Sequence, residues 1–205
     1  MKIILFSDQG ALKEKSLLIF QKLGIEVVKV IIKKNPALEE LPDADALISL
    51  CYHYKVSEDV LANYPLCINF HPAPLPAYKG FAVYNFGIYN EETFWGVSAH
   101  HMTPEIDEGD IIKTLYFNIN QETVESLRSK SHENLLTLME DVLIDKLIKG
   151  DVSSQVYPKK SLESLREINS EMSSEEIAKR IRSCHFPPHE GAYTILKGHK
   201  FIAKP

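Results

Sequence analysis

The apolar positions of this chain change period along its length, and each change marks an element. Residues 3–6 (IILF) are a short unbroken apolar run closed by Ser7-Asp8-Gln9-Gly10, the pattern of a buried strand. Over 11–23, Leu12, Leu17 or Leu18, and Phe20 recur at helical spacing, and Gly24 follows where a C-cap belongs. Residues 25–32 (IEVVKVII) are dense in β-branched side chains and predict a second strand, 44–50 (ADALISL) a third, and 66–70 (LCINF) a fourth. Between the last two, Ser57-Glu58-Asp59 reads as an N-cap with an acidic first turn. Strands separated by helical segments imply βαβ units and a mostly parallel sheet with right-handed crossovers. Sites in such sheets lie beyond the carboxyl ends of the strands, which brings the segments after Phe6, Leu50 and Phe70 to one edge.

The pattern then departs from simple alternation. Residues 94–102 and 110–119 both predict strands, joined by 103–109. Over 121–149, Val124, Leu127, Leu135, Leu138, Val142 and Leu147 fall at i, i+3/i+4 steps, predicting a long amphipathic helix that ends at Gly150. The stretch 151–205 is more polar. Ser173-Ser174-Glu175-Glu176 reads as a helix start, with Ile177, Ile181 and Cys184 as its buried stripe, and 191–202 reads as a small hairpin. The expectation is an α/β fold over 1–150, a mixed, mostly parallel sheet flanked by helices, with a helix-and-hairpin extension over 151–205.

Composition narrows the class. With 44% hydrophobic and 25% charged residues in 205, the chain is ordinary globular material rather than disordered or fibrous. A net charge of −5 is the wrong sign for a general nucleic-acid binder, which works by displacing counterions with a basic surface. No apolar run approaches the ~18 residues of a membrane span, and the apolar opening is too short for a secretory signal. Three widely spaced cysteines, Cys51, Cys67 and Cys184, fit neither a disulfide framework nor a zinc ribbon. A soluble, reduced, cytoplasmic protein without a metal is expected. His100 and His101 are adjacent on a strand and face opposite ways, Cys184-His185 lacks partners at ligand spacing, and Lys159-Lys160 and Lys179-Arg180 read as solvated charges. Exposed apolar positions on the C-terminal helix would suit a homodimer or intramolecular packing.

Candidate chemistry concentrates in Ile68-Asn69-Phe70-His71-Pro72-Ala73-Pro74-Leu75-Pro76-Ala77-Tyr78-Lys79-Gly80. Side chains alternate along a strand, so Asn69 and His71 project to one side, and the prolines at 72, 74 and 76 stiffen the loop that follows. A carboxamide donor beside an imidazole suits carbonyl chemistry: one stabilises an oxyanion, the other moves a proton near neutral pH. Taken alone, Asn69 capping a turn and His71 as a satisfied surface histidine fit equally well. The second element is Glu105-Ile106-Asp107-Glu108-Gly109-Asp110. Here Asp107 either orients an imidazole or sits in an ordinary Asp-x-Gly turn.

Asn69-x-His71 with its proline-rich loop, then Gly96-Val97-Ser98-Ala99-His100, then Asp107-x-Gly109, together resemble the formyltransferases that use N10-formyltetrahydrofolate. That family includes glycinamide ribonucleotide, methionyl-tRNA and nucleotide-sugar members. The resemblance spans about residues 1–150 and implies a Rossmann-like fold. It implies Asn69, His71 and Asp107 as the catalytic triad, with His100 as a second active-site histidine on the substrate side. The implied reaction is attack of a primary amine on the formyl carbon of the folate. The resemblance also puts the pterin site at Cys51 to Val56 and the 103–107 loop, with Tyr52, His53, Tyr54, Lys55, Thr103, Glu105 and Ile106 as folate contacts and Val60 and Cys67 as the floor.

The acceptor is read from departures. Glycinamide ribonucleotide enzymes carry a glycine-serine phosphate loop after the first strand, where this chain has Ser7-Asp8-Gln9-Gly10-Ala11-Leu12, with one glycine beside an acid. The transfer-RNA enzymes add a C-terminal barrel and basic surface, which the roughly 55 residues after Asp151 and a net charge of −5 over the chain do not suggest. The tail Phe186-Pro187-Pro188-His189-Glu190-Gly191-Ala192-Tyr193 is more similar to nucleotide-sugar N-formyltransferases, a resemblance that implies the 151–205 extension packs near the active site. Phe186 and Tyr193 are candidates to stack on a nucleotide base or simply to anchor the tail, and Lys79 stands where the family often has arginine. Ala73 stands where it often has serine. Alternatives are glycinamide ribonucleotide as acceptor, hydrolysis of the formyl-folate, or an inactive folate- or nucleotide-binding module.

Overall fold

The computed structural model describes residues 1–33, 37, 40–148 and 159–205. The expected helix stop at Gly150, the expected boundary at 150–151, and the side chains of Lys159 and Lys160 lie outside what it describes. The chain divides into two compact units, Met1–Asp151 and Val152–Pro205.

The first unit runs β1 (Lys2–Phe6), α1 (Gly10–Lys22), β2 (Glu26–Ile31), β3 (Ala46–Leu50), α2 (Glu58–Ala62), β4 (Cys67–His71), α3 (Val83–Tyr89), β5 (Phe94–His101), β6 (Ile111–Asn118) and α4 (Val124–Leu143). Its six strands form one sheet in the order β2-β1-β3-β4-β5-β6. β1 to β4 pair in parallel, β5 adds antiparallel to β4, and β6 pairs antiparallel to β5. The strand period divides the core between the two faces. Ile3, Leu5, Ile48, Ile68, Phe70, Val97 and Ala99 pack with Leu12 and Phe20 of α1 and Leu135, Leu138, Met139 and Val142 of α4. Ile4, Phe6, Leu47 and Cys67 face the other way and pack with Val56, Val60 and Tyr64 around α2.

Local chemistry accounts for the ends. Gly24, at φ +68, lets the Ile25 amide reach the Phe20 carbonyl and its own amide reach that of Gln21, closing α1 with a Schellman turn. Of the two leucines left open above, Leu17 packs on the core and Leu18 is exposed. Thr123 and Ser126 form a capping box at the start of α4, which leaves Val124 exposed instead of in the buried stripe. The helical pattern beyond Leu143 is observed as a π-helical turn, Ile144–Ile148. α3 was not expected. It packs Gly87 so closely on Trp95 that a Cβ there would lie 2.2 Å from a ring carbon.

The second unit contains α5 (Lys159–Arg166), α6 (Ser174–Cys184) and the hairpin β7 (Tyr193–Leu196) with β8 (His199–Ile202). Ser173 Oγ accepts the Glu176 amide and caps α6, whose Cys184 is buried. Arg180 is not a solvated charge: its guanidinium donates to the carbonyls of Ser164 and Glu167 at 2.9 and 3.0 Å, meeting oxygens that the end of α5 leaves without helical partners. Tyr193 lies beneath the Lys200 ammonium, 4.2 Å from its ring centre, while Phe186 is exposed and stacked on His189.

Candidate active site

β4 ends in Asn69-Phe70-His71, and its parallel partner β3 and antiparallel partner β5 flank it. Phe70 points into the α1–α4 core, so Asn69 and His71 emerge on the opposite face. On β5, His100 stands directly across from Asn69 in register. The 103–109 connection then folds back and supplies Asp107. Two backbone features hold it there. Asp107 adopts φ 56, a conformation non-glycine residues rarely occupy, and a Cβ on Gly109 would sit 1.8 Å from the His101 carbonyl oxygen. The Asp-x-Gly pattern is therefore a geometric requirement: only glycine permits the close return, and the return aims the carboxylate inward.

Four side chains meet there. Asp107 Oδ2 accepts the Gly80 amide at 2.9 Å and lies 3.4 Å from His71 Nδ1. Its Oδ1 lies 3.4 Å from Asn69 Nδ2 and 3.5 Å from His100 Nε2. Carbonyl oxygens only accept, which fixes both tautomers. His71 donates from Nε2 to the Tyr78 carbonyl at 2.9 Å, so the neutral ring carries its lone pair on Nδ1, facing Asp107. His100 donates from Nδ1 to the His101 carbonyl at 2.8 Å, and its Nε2 lies 3.0 Å from Asn69 Nδ2.

His71, His100 and Asp107 are all buried. Burial pulls the His71 imidazole below its ordinary value, and His100 adds to this, against the opposing influence of Asp107 and the Tyr78 carbonyl. At neutral pH the ring is an uncharged base whose conjugate acid would find a carboxylate waiting. Burial pushes the Asp107 carboxyl up, but the contact with His100, the nearby His71 ring and the Gly80 amide outweigh it and hold the group below its ordinary value.

The four residues line a cavity of about 330 Å³, a size that suits a small organic ligand. Tyr52, His53, Tyr54, Lys55 and Val56 line it, as do Thr103, Glu105 and Ile106. Val60 and Cys67 are not among the lining residues; they pack in one cluster with Val56, Tyr52 and Met102, which are. Lys79 stands outside the lining and pairs with Glu108 at 2.6 Å. Beside the cavity, Asp8 holds His53 Nδ1 at 2.7 Å, and Gln9 donates to Asp8 at 3.1 Å. Sequence reasoning missed Phe81, Tyr84 and Arg128, which also line the cavity. Of these, only Arg128 carried a signal: a cation one position off the buried Leu127 stripe. Among the described residues no group of three or more His, Cys, Asp or Glu could hold a metal ion, and no helix is long and apolar enough to cross a membrane.

The chain is 29% identical over 167 residues to methionyl-tRNA formyltransferase from Clostridium tetani, an alignment covering 75% of this chain and 52% of that protein. It thus spans about half the length of the curated relatives it matches. A 4-N formyltransferase from Francisella tularensis superposes with TM-score 0.65 at 20% identity, covering 100% of this chain and 96% of that one. Glycinamide ribonucleotide transformylase 1 from Symbiobacterium toebii superposes with TM-score 0.63 at 19% identity, covering 76% and 91%. These likenesses show the shared Rossmann-like fold, with the small C-terminal hairpin beyond it. The formyl transferase family model matches residues 34–143, more than half of the sequence, and by that match the chain belongs to the formyl transferase family.

Proposed function

We propose that the protein transfers a formyl group from N10-formyltetrahydrofolate to a primary amine, with a nucleotide-linked amino sugar as the acceptor. The observation that carries this reading is the convergence of Asn69, His71, His100 and Asp107 on one cavity, with a neutral imidazole facing a buried carboxylate.

In this reading the amine nitrogen attacks the formyl carbon, and the carbonyl π electrons move onto oxygen. The Asn69 carboxamide keeps one N–H on His100 Nε2 and turns the other from Asp107 Oδ1 toward that oxygen; one such donor is typically worth ~3 kcal/mol. The attacking amine loses a proton and N10 of the departing folate gains one. His71 Nδ1 is the group placed to carry it, with Asp107 stabilising the imidazolium in between. The C–N10 bond breaks as the new C–N bond is kept, so formyl, electrons and proton all balance.

The pterin would enter between the Tyr52–Val56 segment and the Met102–Asp107 loop, which present aromatic and apolar surface. Two observations support the amino-sugar acceptor. Asp8 and Gln9 fill the turn after β1 with an acid paired to His53, a poor cradle for a ribose phosphate. A solved structure that superposes over 100% of this chain and 97% of its own is that of a sugar N-formyltransferase. The net charge of −5 disfavours transfer RNA.

Mixing the protein with N10-formyltetrahydrofolate and a nucleotide-linked amino sugar, and following tetrahydrofolate release, tests the proposal. Acceptor-dependent release is expected. Equal formate release without any amine would assign hydrolysis instead, and absence of turnover with every amine tried would overturn the enzyme reading.

A further inference from the structure

The cavity has two unlike walls. One carries the aromatic and apolar groups assigned above to the pterin. The other is formed by Cys51 after β3, Tyr84 on α3 and Arg128 on the second turn of α4, each of which carries a side-chain hydrogen-bond donor. The Tyr84 hydroxyl is buried and has no hydrogen-bond partner among the described residues. A buried hydroxyl left unmatched is a standing cost that a ligand oxygen would remove.

Arg128 completes the wall. Its guanidinium donates to Gln9 Oε1, and no carboxylate among the described residues comes within the 4.0 Å of an ion pair. The nearest acid of that turn, Asp8, is already engaged by His53 and Gln9. Burial raises both the Cys51 thiol, to about 12, and the Tyr84 phenol, while the charge of Arg128 works against it at each; the guanidinium therefore acts on the same space as those two groups. A cation with spare planar donors, beside an unpaired hydroxyl and a neutral thiol, is complementary to an oxygen-rich anion and to no cationic or apolar group.

We propose that Arg128 and Tyr84 form an oxyanion subsite that grips a phosphoryl group of the amine acceptor while its amine reaches Asn69 and His71. The subsite rests on the formyl-transfer reading, which supplies the acceptor. The glutamyl carboxylate of the folate donor shares the same chemistry, so the test separates the two sources.

Calorimetric titration of the full chain at fixed ionic strength, with inorganic pyrophosphate in one arm and pteroylmonoglutamate in the other, provides that test. For pyrophosphate, Arg128→Gln is expected to weaken binding about tenfold or more, and Tyr84→Phe several-fold, with added salt weakening the wild-type protein further. Pteroylmonoglutamate affinity is expected to stay unchanged in both variants, which also reports that they fold. Equal pyrophosphate affinity in all three proteins, or none in the wild type, overturns the subsite. Weakened pteroylmonoglutamate with unchanged pyrophosphate assigns Arg128 to the donor and overturns it as well. A wild-type protein that ignores pteroylmonoglutamate overturns the formyl-transfer reading itself, an outcome the pyrophosphate arm does not share.

Discussion

Asn69 and His100 face each other across the antiparallel β4–β5 ladder, with Asn69 Nδ2 3.0 Å from His100 Nε2. Their separation is set by two backbones rather than by a loop, so the carboxamide is aimed before any ligand arrives. Truncating it should remove a preorganised donor and leave the sheet intact.

Asn69→Ala and His71→Ala are accordingly expected to slow formyl transfer at least ~100-fold. Their melting temperatures should stay within about 4 °C of the parent, the scale of a ~1 kcal/mol change in a chain of this size. Steady-state assays paired with thermal melts check both halves of the expectation. Retained turnover would dismiss the assignment.

Asp107→Asn separates charge from backbone. Asparagine tolerates the left-handed conformation that Asp107 adopts at φ 56, so the loop should keep its path. The imidazolium loses its counter-charge, and kcat is expected to fall ~10²- to 10⁴-fold with little change in melting temperature. Gly109→Ala should do the opposite: its new Cβ meets the His101 carbonyl at 1.8 Å, so the loop must shift, and both stability and rate should drop in the same melts and assays.

Gly87→Ala tests the packing beneath α3. A methyl group placed 2.2 Å from the Trp95 ring overpacks a site with no slack, and a loss of about 1–3 kcal/mol is expected in urea denaturation.

His132 gives a signed pH dependence. Burial, with the charges of Arg128 and Lys15, lowers its pKa to about 4 in the folded chain, below the 6.5 of the free side chain. The unfolded chain therefore binds the proton more readily, and stability declines as pH falls from 6.5 toward 4. His71 adds in the same direction, and Asp107, lowered from its ordinary 3.8, withdraws its contribution only at more acidic pH. His132→Gln should flatten the urea midpoint between pH 6.5 and 4.5 relative to the parent; an unchanged slope would contradict the assignment.

What was legible in the sequence followed from strong, local signals. The runs at 3–6, 44–50 and 66–70 are apolar on both faces because helices cover both faces of the sheet, and they lie at its centre. Asn69, His71 and Asp107 were legible because their neighbours are rigid or tight: prolines on one side, a mandatory glycine on the other. α3 was not legible. It has seven residues, and its N-cap is Ala82 in a left-handed conformation, without a side-chain cap. Tyr84 and Arg128 were hidden for a related reason, since a helical pattern identifies which residues are buried but not which exposed ones overlook a cavity formed by distant strands.

The direction change between β4 and β5 has a further consequence. The whole connection from 72 to 93, with its proline loop and α3, leaves one strand and returns along its neighbour. Insertions or deletions there would reshape the ledge that an incoming molecule meets while the Asn69–His100 pair keeps its spacing. A scaffold built this way can diversify its clientele through one excursion of the chain and inherit its chemistry unaltered.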